Sequence, residues 1–199
     1  MKKSKTIWWI IGIVVLGLVL IAWSNRATND HRSLSSVSTS TAPWPADVSH
    51  LRERLAALGL PALSQEGTAL HIHQHIDIFI DGKSMPVPAG VGIDESAGFI
   101  SDVHVHDDTG IIHVESPTIE TFTLGQFFDI WGVRFTAQAI GGYETGNGRS
   151  LKVFVNGVPY GGDPRQIALA PHQEIVVAYG TDRELPNPIP SSYQFPVGD

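Results

Sequence analysis

The sequence predicts a strand-rich α+β domain, and three observations carry that expectation. Residues 70–80 alternate between polar or aromatic side chains at odd positions and mostly aliphatic ones at even positions, the period-2 signature of a half-buried strand. The pairs Asp81-Gly82 and Asn156-Gly157 each follow such a run, and these pairs supply the positive φ angles of tight hairpins. Inside the domain only Thr123 to Trp131 has helical spacing: Thr123 and Gln126 stand at capping-box distance, and Leu124, Phe127, Phe128 and Trp131 make an apolar stripe.

Two further hairpin components complete the strand pattern. Val103 to His106 and Ile111 to Glu115 flank Asp107-Asp108-Thr109-Gly110, and Glu174 to Tyr179 is a β-branched final strand. The glycine-rich run from Gly141 to Gly148 lacks the Gly-Lys-Ser/Thr of a phosphate cradle, so it reads as a loop.

Ahead of the domain, 17 uncharged residues run from Ile7 to Trp23 behind Lys2, Lys3 and Lys5. A transmembrane helix needs about 17–25 residues, and the basic flank holds the N-terminus in the cytoplasm. The run exceeds the roughly 7–15 residues of a signal-peptide core and no Ala-x-Ala site follows, which favours an uncleaved signal anchor. The chain therefore divides into an anchor (1–24), a flexible Ser/Thr-rich stalk (25–45), a short bracing helix and linker (46–69), a histidine-rich extracytoplasmic domain (70–181) and a Pro-rich tail (182–199). In the brace, Asp47 is placed to cap a helix whose Leu51, Leu55 and Leu58 share one face, with Gly59 at its end.

Cysteine is absent, which excludes disulfides, thiolate metal sites and a lipid-modified cysteine. Of 13 basic residues three precede the span, leaving ten against 20 acidic ones, a formal charge of −10 outside the membrane. That balance argues against nucleic acid as a partner and favours cations. The membrane, through the anchor, and a metal ion are the expected partners, and nothing in the sequence names a protein partner.

Six of the nine histidines lie between His71 and His113. On the first strand His71, His73, His75, Asp77 and Phe79 share one face, because side chains alternate across a strand. A four-residue loop ending in Gly110 sets His106 opposite Ile111, His104 opposite His113 and Asp102 opposite Glu115, all on one face. A three-residue loop with a bulge would turn His113 to the other side.

A single histidine on a half-buried sheet face commonly packs without a ligand. Six at alternating positions on three strands point to a cation, since neutral imidazole is a common metal ligand where thiols are lacking. Residues i and i+2 of a strand are roughly 6.6 Å apart and can converge, whereas i and i+4, at about 13 Å, hardly can. His71 and His75 are therefore not expected to share an ion. The candidate ligands are His71, His73, His75, His104, His106 and His113, with Asp77, Asp102 and Glu115 as carboxylate ligands or as groups orienting an imidazole. His31, His50 and His172 stand outside the pattern.

Imidazole and carboxylate without thiolate suit Zn, Cu(II) or Ni, for metal capture, buffering or sensing. Two alternatives stay open: a metal-dependent enzyme, hydrolase or oxygenase, with an open coordination position and Glu115 or Asp77 as base, and an interaction domain whose histidines bind no metal.

Short matches occur to known metal motifs. Gly98 followed by His104-Val-His106 resembles the opening of the cupin motif, though no glutamate follows at the required distance, and His75-Ile-Asp77 resembles part of a facial triad. A longer resemblance runs through Thr121–Trp131, Val153-Phe-Val-Asn-Gly157 and Glu174–Gly180, which look like the helix, hairpin and last strand of small β-grasp modules of extracellular bacterial proteins. The run from His71 to Gly180 with its Asp-Asp-Thr-Gly turn also resembles an uncharacterised family of membrane-anchored, histidine-rich bacterial extracytoplasmic proteins. The first resemblance implies a β-grasp-like domain, with a β-sandwich as the alternative. The second implies a location and a metal site but no activity.

Overall fold

The computed structural model describes residues 37–197. The expected anchor (1–24) and the first part of the expected stalk (25–36) lie outside the described residues. No helix among the described residues is long and apolar enough to cross a membrane.

In chain order the regular elements are α1 (Leu51–Leu58), β1 (Leu70–Ile80), β2 (Lys83–Met85), β3 (Ile93–Asp94), β4 (Phe99–Ile100), β5 (Val103–His104) and β6 (Ile111–Ser116). They continue with α2 (Leu124–Trp131), β7 (Phe135–Thr136), β8 (Ala139–Ile140), β9 (Tyr143–Glu144), β10 (Ser150–Val155), β11 (Val158–Pro159) and β12 (Glu174–Gly180). This is a strand-rich α+β arrangement with two α-helices among the described residues.

A mixed, seven-stranded sheet in the order β11-β10-β12-β1-β6-β5, with β2 on the far end of β1, organises the domain. β1 is its axis. The first half of β1 pairs antiparallel with β6, from Leu70 opposite Ser116 to His75 opposite Ile111. Its second half pairs parallel with β12, from His75 opposite Glu174 to Ile80 opposite Tyr179, and antiparallel with β2. Every residue of β12 is buried, as its continuous β-branched run requires of a central strand.

The aliphatic face of β1 forms the main core. Ile76 and Ile78 pack in one cluster with Ile112 and Val114 of β6, Ile175 and Val177 of β12, and Leu124, Phe127, Phe128 and Trp131 of α2. α2 begins with the expected capping box, Thr123 accepting from the Gln126 N–H and Gln126 returning to Thr123 N. It ends at Gly132, which has φ 78. On α1, Leu51 and Leu55 are buried, and the buried Arg54 donates Nε to the Ile130 carbonyl at the end of α2 (3.0 Å), where a cation complements the helix dipole.

Three features differ from the sequence expectation. α1 starts after His50, so Asp47 stands too early to cap it and instead accepts from Ser49 N at 2.9 Å. The β7–β8–β9 meander and the β3–β4 hairpin are made of two-residue strands, too short to leave a period in the sequence.

The third difference is that residues 37–45, read as the end of a flexible stalk, pack on the domain. Trp44 is 2% exposed, stands edge-on to Trp131 (5.9 Å) and Tyr143 (6.3 Å), and donates Nε1 to the Ser40 carbonyl. Trp131 Nε1 in turn donates to the Pro45 carbonyl at 3.0 Å. One aromatic with two such partners outweighs the polar run around it, because a buried tryptophan removes more apolar area from water than any other side chain.

The tail lies over the other face of the sheet. Leu185 and Ile189 cover Phe79, Phe154, Val176 and Ala178, and Tyr193 stacks on His75 with ring centroids 3.8 Å apart.

Trp44→Ala is expected to destabilise the domain by about 3–5 kcal/mol in urea unfolding, the cost of a large aromatic-to-alanine cavity. A loss under about 0.5 kcal/mol, typical of an exposed position, would return residues 37–45 to the stalk.

Candidate metal centre

The site is built by register. β1 sets His73 opposite His113 and His71 opposite Glu115, and β5 sets His104 opposite His113. His73, His113 and His104 therefore form a row across three adjacent strands, with β6 in the middle. The β5–β6 register is the one given by a four-residue loop. Gly110 has φ 87, and Asp107 accepts from Thr109 N at 2.9 Å within the turn. β5 is held on its outer side by residues 90–92, with Gly90 N on the Val105 carbonyl and Val105 N on the Val91 carbonyl, both at 2.9 Å.

Two groups of side chains bring possible ligand atoms within 4.8 Å of one another on this face: His104, His106, His113 and Glu115, and His71, His73 and Glu115. Within the first, His104 Nε2 lies 3.1 Å from His106 Nε2 and His113 Nδ1 lies 3.3 Å from Glu115 Oε1. Within the second, His71 Nε2 lies 3.1 Å from His73 Nε2 and 3.3 Å from Glu115 Oε1. Two ligands of a tetrahedral ion at about 2.0–2.1 Å stand roughly 3.3 Å apart, so these spacings need little adjustment around a cation. His73, His104 and Glu115 are buried, whereas His71 and His106 are exposed. Buried His/Glu groups that can hold a metal ion are thus present.

His104 is the best defined of these rings. Its Nδ1 is 2.9 Å from the Ser101 carbonyl, and because a carbonyl only accepts, Nδ1 carries the proton and Nε2 presents its lone pair to the cluster. Orientation of a ligating imidazole by a hydrogen bond from its other nitrogen is the usual arrangement at metal sites. Burial, reinforced by the neighbouring His106, His113 and His73 and opposed by the Ser101 carbonyl, pushes the His104 imidazole down to about 3. It is neutral at physiological pH, as a ligand must be.

The structure parts His75 from the other histidines. Its Nδ1 is 2.8 Å from Glu174 Oε2 and its Nε2 is 2.9 Å from the Thr109 carbonyl. The Thr109 carbonyl only accepts, so Nε2 carries a proton, while Nδ1 shares its hydrogen bond with a carboxyl group whose own pKa burial raises. Burial pushes the His75 pKa down, but the bond to Glu174, the charges of Glu174 and Asp77 and the Thr109 carbonyl outweigh it and leave the pKa raised. Asp77 joins this third group, His75, Asp77 and Glu174, in which both nitrogens of the ring are already engaged.

Asp102 lies in none of the three groups. It is 1% exposed, its Oδ2 has no hydrogen-bond partner among the described residues, and burial raises its pKa against a bond to Ser116.

Glu174, Glu66 and Tyr193 were not among the sequence candidates. Glu66 Oε1 lies 3.4 Å from His106 Nε2. The partnership of Glu174 with His75 follows from parallel pairing across 99 residues of chain, which no local pattern signals. Of the remaining histidines, His172 donates its backbone N–H to the His73 carbonyl and lies 5.1 Å from Phe195. Comparison with protein-family models, curated proteins and solved structures finds no match.

The His104 shift has a consequence for stability. The imidazole of an unfolded chain titrates near 6.5, above the folded value of about 3. Unfolding therefore takes up a proton at this ring within that window, so its contribution to stability is complete above pH 6.5 and falls as the pH drops toward 3. In urea titrations of metal-free protein between pH 7 and 5, His104→Gln should lose less stability per pH unit than the parent, by up to about 1.4 kcal/mol. Parallel profiles would mean that His104 is not held neutral.

Proposed function

We propose that this chain is a membrane-anchored, extracytoplasmic protein that binds a divalent transition metal at the His104, His106, His113 and Glu115 group, for capture, buffering or sensing of the ion. The observation that carries the reading is the convergence of three imidazoles and a buried carboxylate, with ligand atoms within 4.8 Å of one another and the His104 lone pair aimed by the Ser101 carbonyl.

The donor set favours Zn, Cu(II) or Ni over softer ions, since the chain has no cysteine and two methionines. The lysine-flanked apolar run from Ile7 to Trp23 supports the anchor, and the acidic balance beyond it would raise the local cation concentration. A β-grasp-like frame is supported by the parallel pairing of β1 with β12 on either side of α2. His71, His73, His104 and His113 stand on strands and His106 in the turn that follows β5, which suits a largely preorganised site.

Untagged chain purified without chelator should retain one or more equivalents of metal by elemental analysis. His104→Ala and His113→Ala should each lower that by about one equivalent while circular dichroism stays that of the parent. Parent protein that folds but remains metal-free in the presence of micromolar zinc would overturn the reading.

A further inference from the structure

Glu115 belongs to both ligand groups, and the pattern around it is repetitive. Each of three adjacent strands presents an i, i+2 pair to the same face: His71 and His73 on β1, His113 and Glu115 on β6, and His104 with His106 from β5 into its turn. The two outer pairs have the same Nε2–Nε2 spacing, 3.1 Å. The central carboxylate reaches both ways, its Oε1 lying 3.3 Å from His113 Nδ1 and 3.3 Å from His71 Nε2.

A single ion does not account for all six side chains. Opposite ligands of a six-coordinate ion at about 2.1 Å are roughly 4.2 Å apart, so six ligands on one ion would all fall within that distance. The six ligand atoms here do not all lie within even 4.8 Å of one another; they divide into two sets that share Glu115.

We propose that His71, His73 and Glu115 form a second cation position, so that the face holds a pair of divalent transition ions bridged by the Glu115 carboxylate. The inference rests on the metal-binding reading above and extends it. The two positions are unequal. The first has four protein ligands, the complement of a closed tetrahedral site. The second has three, one of them the exposed His71, whose side chain is 54% accessible. It therefore has a coordination position left for water or a small external ligand and is the exchangeable member of the pair. A capture or buffering protein needs such a position at its surface, beside a tighter one that orders the strands.

The test is the zinc stoichiometry of the full-length, untagged chain in detergent, stripped of metal and dialysed against excess zinc, for the parent, His71→Ala and Glu115→Gln. His71 is exposed, so its replacement leaves the core untouched. The expected result is two equivalents for the parent and one for His71→Ala, or a second equivalent weakened at least tenfold. Glu115→Gln should weaken both. Copper-loaded parent should also show the half-field paramagnetic resonance of two close Cu(II) ions, and His71→Ala should not.

One equivalent in the parent that survives His71→Ala overturns the second position and leaves the metal-binding reading standing, whereas one equivalent that His71→Ala removes overturns both, since the ion then depends on the β1 pair. Two equivalents in both proteins place the second ion elsewhere and also overturn it. No binding by a folded parent overturns both readings.

Discussion

Everything at the site depends on the register of three strands. Because side chains alternate with a period of two, a slip of one residue between β6 and either neighbour would send His113 and Glu115 to the aliphatic core and bring Ile112 and Val114 to the polar face. The hydrophobic effect opposes that slip on the core side, where Ile112 and Val114 are fully buried against α2. The apolar core thus fixes the position of the polar cluster on the opposite face of the same strands, and the imidazoles need not hold themselves together before an ion arrives.

The polar face is itself divided. Toward the Phe79 end, the tail covers it with Leu185 and Ile189, and Tyr193 closes over His75. There the histidine is held at both ring nitrogens by Glu174 and Thr109, while Glu174 Oε1 stays buried without a hydrogen-bond partner among the described residues. Beyond His75 the face is left to His71, His73, His113, His104 and His106, with His71 and His106 reaching solvent. One strand therefore serves two environments: a closed hydrogen-bonded contact at one end and an accessible ligand cluster at the other.

How much of this was legible depended on sequence distance. The β1 alternation and the α2 capping box are decided by neighbours in the chain and could be read directly from residues such as His71 to Phe79 and Thr123, whereas the turn at Gly110 left two registers for β5 and β6, of which the folded sheet has the four-residue one. The division of β1 into two kinds of site could not, because Glu174 meets His75 through a parallel pairing that only the folded sheet creates. Composition was misleading at Trp44, where a polar stretch hid one residue with a large apolar area to bury. Glu66 and Tyr193 reach the histidine face from segments with no period of their own, so their neighbours were not visible in the sequence.

Anomalous diffraction at the zinc edge, from crystals of zinc-loaded protein, tests the convergence of the imidazoles most directly. Strong density is expected at coordination distance, about 2.0–2.1 Å, from the Nε2 atoms of His104 and His106 on the face shared by β5 and β6. Well-ordered rings with no anomalous density between them, and zinc found only at solitary surface histidines such as His50, would contradict it.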